Sequence, residues 1–433
     1  MNFWKRPSAS LLLGAIFFMV NPTHVFAQAT PPPAPTYVGL TPEDVGVMNR
    51  ARPEYDAKGI PIGGFRLFPT LDLTGSYDDN VFRLPTGTSD YYFVEAPTLR
   101  LKSDWGRHFL EFYVGANNYN YVSNTQLNLT DWDVGTDGRL DISRAMVVSG
   151  GISYAKAHEA LQSPNTVGFQ RSPNKYDQTE GKADATYQPD RLGFGVGGIF
   201  DRYFWLPTPE IGTTNYLFNS DRDEDEYQAY AKTYYDFSPG YDAFVKATYD
   251  SRTFDRPFDR TGIHRASTGY RFDGGADFQI SHLIKGEVFI GYLEQDFDQH
   301  QPQTLKDIDG LDYGANISWY ADPKLTVHLN ASHTITDAVL GGVSAFNNQN
   351  VSLGADYELM YNVILQGYGA YTNTQFTGST RTDGYPSFGI KARYMVNEYI
   401  APYISYDWSE RSSNFPGVNF KDNLITIGIS GHI

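Results

Sequence analysis

The chain has 433 residues, with Gly 41, Pro 24, Tyr 32, Phe 28 and no cysteine; 15% of it is aromatic and 19% charged. That composition excludes a disordered chain and a disulfide-stapled one. A formal net charge of -16 speaks against a nucleic-acid binder, which needs clustered Lys and Arg to displace counterions.

Taken from the start, Lys5 and Arg6 precede the apolar run Leu11 to Val20, and Val25-Phe26-Ala27 offers a small residue before a cut at Gln28. Residues 1–27 read as a secretory signal peptide, because so short a run cannot cross a hydrocarbon core of about 30 Å. Export to the periplasm or beyond is expected. Residues 28–64 open with Thr30-Pro31-Pro32-Pro33-Ala34-Pro35, which disfavours a helix and predicts an extended, solvated periplasmic leader.

From Phe65 onward the apolar residues recur at period two rather than 3.6. Between Asp131 and Ser143, one face carries Trp132, Val134, Thr136, Gly138, Leu140 and Ile142. The other face carries Asp131, Asp133, Gly135, Asp137, Arg139, Asp141 and Ser143. Leu325, Val327, Leu329 and Ala331 alternate with Thr326, His328, Asn330 and Ser332 in the same way. A soluble sandwich and a membrane barrel both alternate; the connections separate them. Tight turns at 143–145, 189–191, 237–240, 321–324 and 360–362 interleave with long polar segments at 121–130, 157–175, 206–224, 255–263, 298–307 and 410–422. That rhythm is the one expected of an outer-membrane barrel, with short periplasmic turns and long extracellular loops.

Strands of ten to fourteen residues suit a tilted membrane strand better than a sandwich strand of about five or six. Aromatic residues gather beside the turns, at Tyr187, Tyr235, Tyr241, Trp319, Tyr320, Tyr361, Tyr394 and Tyr399, as headgroup girdles require. The expected fold is an all-β, antiparallel, up-and-down transmembrane barrel of about eighteen strands over residues 65–433, with sixteen as the alternative. Its last strand places Ile425, Ile427, Ile429 and Ile433 toward lipid.

Alternation assigns Asp131, Asp133, Asp137, Arg139, Asp141, Glu226, Tyr230, Lys232, Lys246, Arg252 and His328 to the lumen. Aromatic rings beside hydrogen-bonding groups on that face could carry a sugar chain, and equally describe any hydrated pore wall. His328, Asn330 and Ser332 resemble a hydrolytic trio by type. His328 and Ser332, however, lie about 13 Å apart along a strand, far beyond hydrogen-bond reach, so no enzyme is expected. The nine histidines show no zinc-type spacing, and Asp221 to Glu226 lacks the ligand pattern of a calcium loop, so neither metal nor cofactor is expected. Gly193, Gly195 and Gly197 share one face, which predicts close approach of a neighbouring backbone or local bending of the wall.

The segments Arg52-Pro53-Glu54-Tyr55-Asp56, Gly59-Ile60, Gly63-Gly64-Phe65, Tyr77-Asp78-Asp79-Asn80-Val81-Phe82 and Ser103-Asp104-Trp105-Gly106-Arg107-His108 resemble the β-barrel porin 2 family. The resemblance covers residues 52–108 closely, and beyond that it is one of strand rhythm. It implies a barrel in the outer membrane of a Gram-negative cell, in contact with lipid and lipopolysaccharide. Because relatives often accompany exopolysaccharide synthesis and export genes, it also implies a polysaccharide substrate and periplasmic exopolysaccharide machinery as partners. The expected function is passage of an exopolysaccharide or small hydrophilic solutes; the alternative is a non-transporting structural or polysaccharide-binding barrel plugged by its loops. The aspartates on the inward face predict cation preference and favour a neutral or weakly charged polymer.

Overall fold

The computed structural model describes residues 46–165, 172–210, 212–280, 283–298 and 305–433. The expected signal peptide and the proline run at 30–35 lie outside the described residues. Eighteen antiparallel strands form the barrel wall: β1 (Phe65–Asp78), β2 (Asp90–Ser103), β3 (Phe109–Tyr121), β4 (Leu129–Asp141), β5 (Met146–His158) and β6 (Lys175–Tyr187) come first. They are followed by β7 (Leu192–Trp205), β8 (Glu224–Ser238), β9 (Tyr241–Phe254), β10 (Ser267–Ile280), β11 (Ile284–Phe297) and β12 (Ile308–Asp322). The wall is completed by β13 (Leu325–Asp337), β14 (Ala345–Met360), β15 (Val363–Phe376), β16 (Thr382–Tyr394), β17 (Ile400–Ser413) and β18 (Phe420–His432). Consecutive strands pair, and β1 pairs with β18 from Thr70↔His432 to Asp78↔Leu424. The sheet therefore closes on itself, which leaves no edge to pair with another chain.

The side chains are sorted inside out relative to a soluble protein. Trp132, Val134, Leu140, Leu353, Ile390, Ile404 and Ile427 are exposed on the outer face, whereas Ser76, Asp250, Thr326, Asp356 and Thr426 are buried inside. Only a barrel immersed in lipid gains from that arrangement. None of the described helices is long and apolar enough to cross a membrane, so the strands do the crossing. Connections alternate as the sequence predicts. Pro239-Gly240 and Pro323-Lys324 close one end, and, among the described residues, 79–89, 159–165, 172–174, 206–210, 212–223 and 255–266 belong to the connections at the other. Gly240, at φ 83°, supplies the left-handed turn that joins β8 to β9.

Exposed rings mark the bilayer. Trp105, Tyr187, Tyr235, Trp319, Tyr361 and Tyr394 ring the short-turn end, and Tyr91, Trp132, Tyr227, Tyr249, Tyr270 and Tyr371 form a second ring above. Tyr227 and Tyr235 are eight residues apart on β8, which at about 3.4 Å per residue and a tilt near 40° gives roughly 20 Å of height, close to the apolar band of such barrels. The strands run thirteen to sixteen residues, longer than the ten to fourteen expected. The excess lies above the upper ring, where the outer face carries ion pairs such as Lys156–Asp177 (3.4 Å) and Arg202–Asp225 (3.2 Å).

The leader departs from the expectation of a solvated tether. Its described part docks on the inner wall at the short-turn mouth. The Val47 N–H donates to Thr326 Oγ1 (2.9 Å), and buried Arg52 donates to Glu358 Oε2 (2.7 Å), to the Tyr361 carbonyl (3.1 Å) and to the Val47 carbonyl (2.9 Å). Arg50 adds a second bond to Glu358 (3.1 Å) and one to the Pro323 carbonyl. The chain then passes Glu398, paired with Lys58, and lays Ile60–Ile62 against Phe65–Leu67 before entering β1. Proline-rich composition argues for extension; it is silent about two arginines that meet a carboxylate some three hundred residues away.

Candidate functional site: the barrel lumen

The acidic strand β4 lines one part of the inner wall. There Asp131 accepts from His158 Nδ1 (2.7 Å), Asp137 pairs with Lys182 (3.0 Å) and Asp141 with Arg139 (3.2 Å), while Asp133 sits between them on the same face. About a quarter of the circumference away, Lys232 on β8 stands directly opposite Lys246 on β9. Like charges so placed repel. The repulsion is offset because Lys232 Nζ donates to Asp277 and Glu287 (3.0 Å each) and lies 3.8 Å from the Phe244 ring centroid, while Lys246 lies 5.0 Å from that of Tyr230. Farther up β9, Arg252 bridges Glu226 (3.3 Å), Asp250 (3.1 Å) and Asp337 (3.0 Å). Lys391 and Arg393 belong to β16, across the lumen. The basic residues therefore form separate stations rather than one track.

Glycines and rings share the wall. Tyr230 faces Gly197 and Tyr234 faces Gly193 across the β7–β8 ladder. A Cβ on Gly197 would fall 2.6 Å from the Tyr230 ring, and one on Gly193 would overlap Tyr234. Tyr113 over Gly135, Tyr368 over Gly389 and Tyr403 over Gly428 repeat the arrangement, each pair directly opposed. The neighbour that these glycines admit is thus a tyrosine ring rather than a backbone, and its area protects a strand position that glycine leaves bare.

His328 faces the lumen, where its Nδ1 meets Ser318 Oγ (3.1 Å) and its Nε2 meets Asp356 Oδ2 (3.0 Å), with Gln366 donating to the other Asp356 oxygen (2.9 Å). The partners are Ser318 and Asp356 on flanking strands, not Asn330 or Ser332. The nitrogens also stand in the reverse order to a serine hydrolase, where Nε2 meets the serine. The first residues of the Asp221–Glu226 run are engaged by protein partners. Asp221 accepts three bonds from Arg260 (2.8 to 3.0 Å), Arg222 pairs with Glu159 (2.8 Å) and Asp223 accepts from the Trp205 N–H (2.7 Å). Among the described residues, Asp78, Asp79 and Asp422 bring three carboxylates together. Arg83 already bonds Asp78 (3.0 Å) and Asp422 (2.7 Å), and Asn423 occupies Asp79.

Both mouths are narrowed. On the loop side, residues 159–165 run across the lumen from β5. Asn165 donates to the Asp337 carbonyl and accepts from the Val339 N–H (2.9 Å each), and Arg411 on β17 donates to the Gln162 carbonyl (3.1 Å). The root of this crossing is Glu159. Burial raises its carboxyl, but the Arg222 guanidinium and hydrogen bonds from Arg222, Asn174 and Ser163 outweigh that and hold it below the ordinary glutamate range. Beside it, β13 leaves β12 above Gly314↔Ser332 and inclines toward Arg252, which donates to the Ile335 carbonyl (3.2 Å). Ile263, Leu293, Phe297, Leu305, Ile308 and Ile335 fill the angle as a dry cluster. On the turn side, the Arg50/Arg52–Glu358 latch holds the leader in the mouth.

None of Asn165, Arg411, Ser318, Asp356 or Glu358 stood out in the sequence. Each acts through a partner on another strand or loop, and only the Arg52-Pro53 segment, through the family resemblance, carried a signal.

No curated protein matches the chain. Among solved structures, it is similar to OccK3 (OpdO) of Pseudomonas aeruginosa, at 13% identity and TM-score 0.42 over 85% of this chain and 96% of that one. It is likewise similar to the outer membrane protein OpdK of the same organism, at 11% and 0.44 over 85% and 99%. A BenF-like porin of Pseudomonas fluorescens gives 10% and 0.45 over 86% and 100%. At such identities nothing about solutes carries over. The family model described as Putative beta-barrel porin 2 matches residues 52–432, nearly the whole of the described barrel, so the chain belongs to that family of outer-membrane porin-like barrels.

Proposed function

We propose that the barrel is a passive channel for a neutral, hydrophilic solute, either the outer-membrane exit of an exopolysaccharide or a pore for small polar molecules, and that it has no catalytic role. The observation that carries this reading is the inner wall itself, a surface rich in polar and charged side chains inside a closed eighteen-strand barrel. The acidic β4 face favours cations and disfavours a polyanion. Lipopolysaccharide at the charged outer collar and periplasmic polymer machinery at the turn-side mouth are the partners this reading calls for. Single-channel recording in a planar bilayer tests it: a steady conductance with a cation-selective reversal potential is expected, and a conductance of zero overturns it.

A second reading, a plugged barrel that holds polymer without passing it, is favoured by the crossing at 159–165 and the docked leader. A zero conductance in the same recording selects it.

A further inference from the structure

Two clefts open on the inner wall between β17 and β5, one above the other. The lower is lined by Asp72, Thr74, Tyr92, Asn117, Tyr119 and Thr426, among others. The upper, beneath the loops, is lined by Tyr92, Tyr119, Tyr121, His158, Gln162 and Arg83, among others. They share Tyr92 and Tyr119, so they form one path along the wall from mid-lumen to the underside of the crossing at 159–165.

The chemistry of this path is uneven in a telling way. Its charges are largely spoken for: Arg83 lies between Asp78 and Asp422 (3.0 and 2.7 Å), and His158 meets Asp131 (2.7 Å). What it offers a solute is phenol, alcohol and amide groups, ring surface from a tyrosine column in which Tyr92 stacks on Tyr121 (4.8 Å, 28°), the half-exposed carboxylate of Asp72, and aliphatic surface from Val94, Leu127, Leu129 and Leu161 between them. An apolar solute would leave the hydroxyls unmatched. An anion would meet Asp72 here and Asp131 and Asp133 on the neighbouring strand. A polyhydroxylated neutral ring fits, because its hydroxyls both donate and accept, as Ser, Thr, Tyr and Asn do, while its C–H faces pack on aromatic surface.

We infer that this tyrosine-lined path along β1–β3 is a binding site for a neutral saccharide chain, the station at which the channel holds its solute. The inference rests on the passage reading above and adds to it a place and a ligand class. The opposite wall lacks this character: the Tyr230 and Phe244 rings carry Lys246 and Lys232 over them, and Asp277 and Glu287 crowd the surface.

The test is titration calorimetry of the full chain in detergent micelles with maltohexaose as the neutral probe and hexagalacturonate as the polyanion. Maltohexaose should bind, more tightly than hexagalacturonate. Tyr119→Ala and Asn117→Ala should each weaken it about fivefold or more, and Tyr230→Phe on the far wall should leave it in place. Heat-modified gel mobility verifies that each variant remains a folded barrel. Absence of maltohexaose binding, an equal loss from Tyr230→Phe, or tighter binding of hexagalacturonate overturns the site. Bilayer recording of the same protein separates the two levels. A barrel that binds maltohexaose without conducting keeps the site and loses the passage, and one that conducts without binding keeps the passage and loses the site.

Discussion

Single residues on the inner wall divide sharply by what faces them across the ladder. Gly195 lies between Gly193 and Gly197 on β7, yet a Cβ there would sit 3.8 Å from Lys232, an ordinary contact, whereas on Gly197 it would press on Tyr230. Gly197→Ala should therefore cost about 1–3 kcal/mol as an overpacked site, and Gly195→Ala should be close to neutral, read as shifts in the urea midpoint of unfolding. Equal costs at both would show that the rings do not hold their places. The glycine spacing was visible in the sequence, but its meaning was not, because the filling ring is 33 residues away from Gly197 and 41 from Gly193 and is aligned only by register. Glu159 gives a second residue-scale expectation. Its folded carboxyl lies below the ordinary glutamate value of 4.5, so its stabilisation is present above that value and is lost progressively as pH falls from there through the folded value. Proteinase K should nick the segment at 159–165 faster on acidification in the native chain, while Glu159→Gln should be nicked at one rate across the same range.

Among the elements, strands were legible and straps were not. Period-two alternation, turn chemistry and apolar outward faces placed β4, β18 and the first two-thirds of β13 to within a few residues, because each is a local pattern. The outer third of β13 escaped that reasoning: its His333 and Ile335 are buried although the phase set by Val327 and Leu329 points them outward, since the strand leaves β12 there. The leader escaped for the same reason, its partners being distant. Removing Glu358 strands a buried guanidinium, which should cost about 3–5 kcal/mol of the docking. Glu358→Gln should therefore expose the Arg50–Ala51 bond to trypsin in intact outer membranes opened from the periplasmic side, and raise single-channel conductance. Joint replacement, Arg52→Met with Glu358→Met, should cost less than Glu358→Gln alone. If trypsin cuts native and variant chains equally, the latch is not closed in the membrane.

For the molecule as a whole, the membrane sets the rules. Val134 faces lipid and Asp133 faces water inside the same strand. Val134→Arg should thus cost about 2–4 kcal/mol near the midplane, while Asp133→Asn should cost little. With cysteine at each position, a water-soluble thiol reagent should label 133 and spare 134, and equal labelling would contradict the assignment of faces. The leader adds a consequence in time rather than in space. Its anchor Thr326 lies 279 positions beyond Val47, and its carboxylate Glu358 lies 306 beyond Arg52. A nascent chain emerging from its N-terminus has nothing to dock on until β13 and β14 have been delivered and paired. The docked leader is therefore a mark of late assembly: a chain cut short before β14 presents it loose to the periplasm, where proteases can distinguish it from one that has paired β13 and β14.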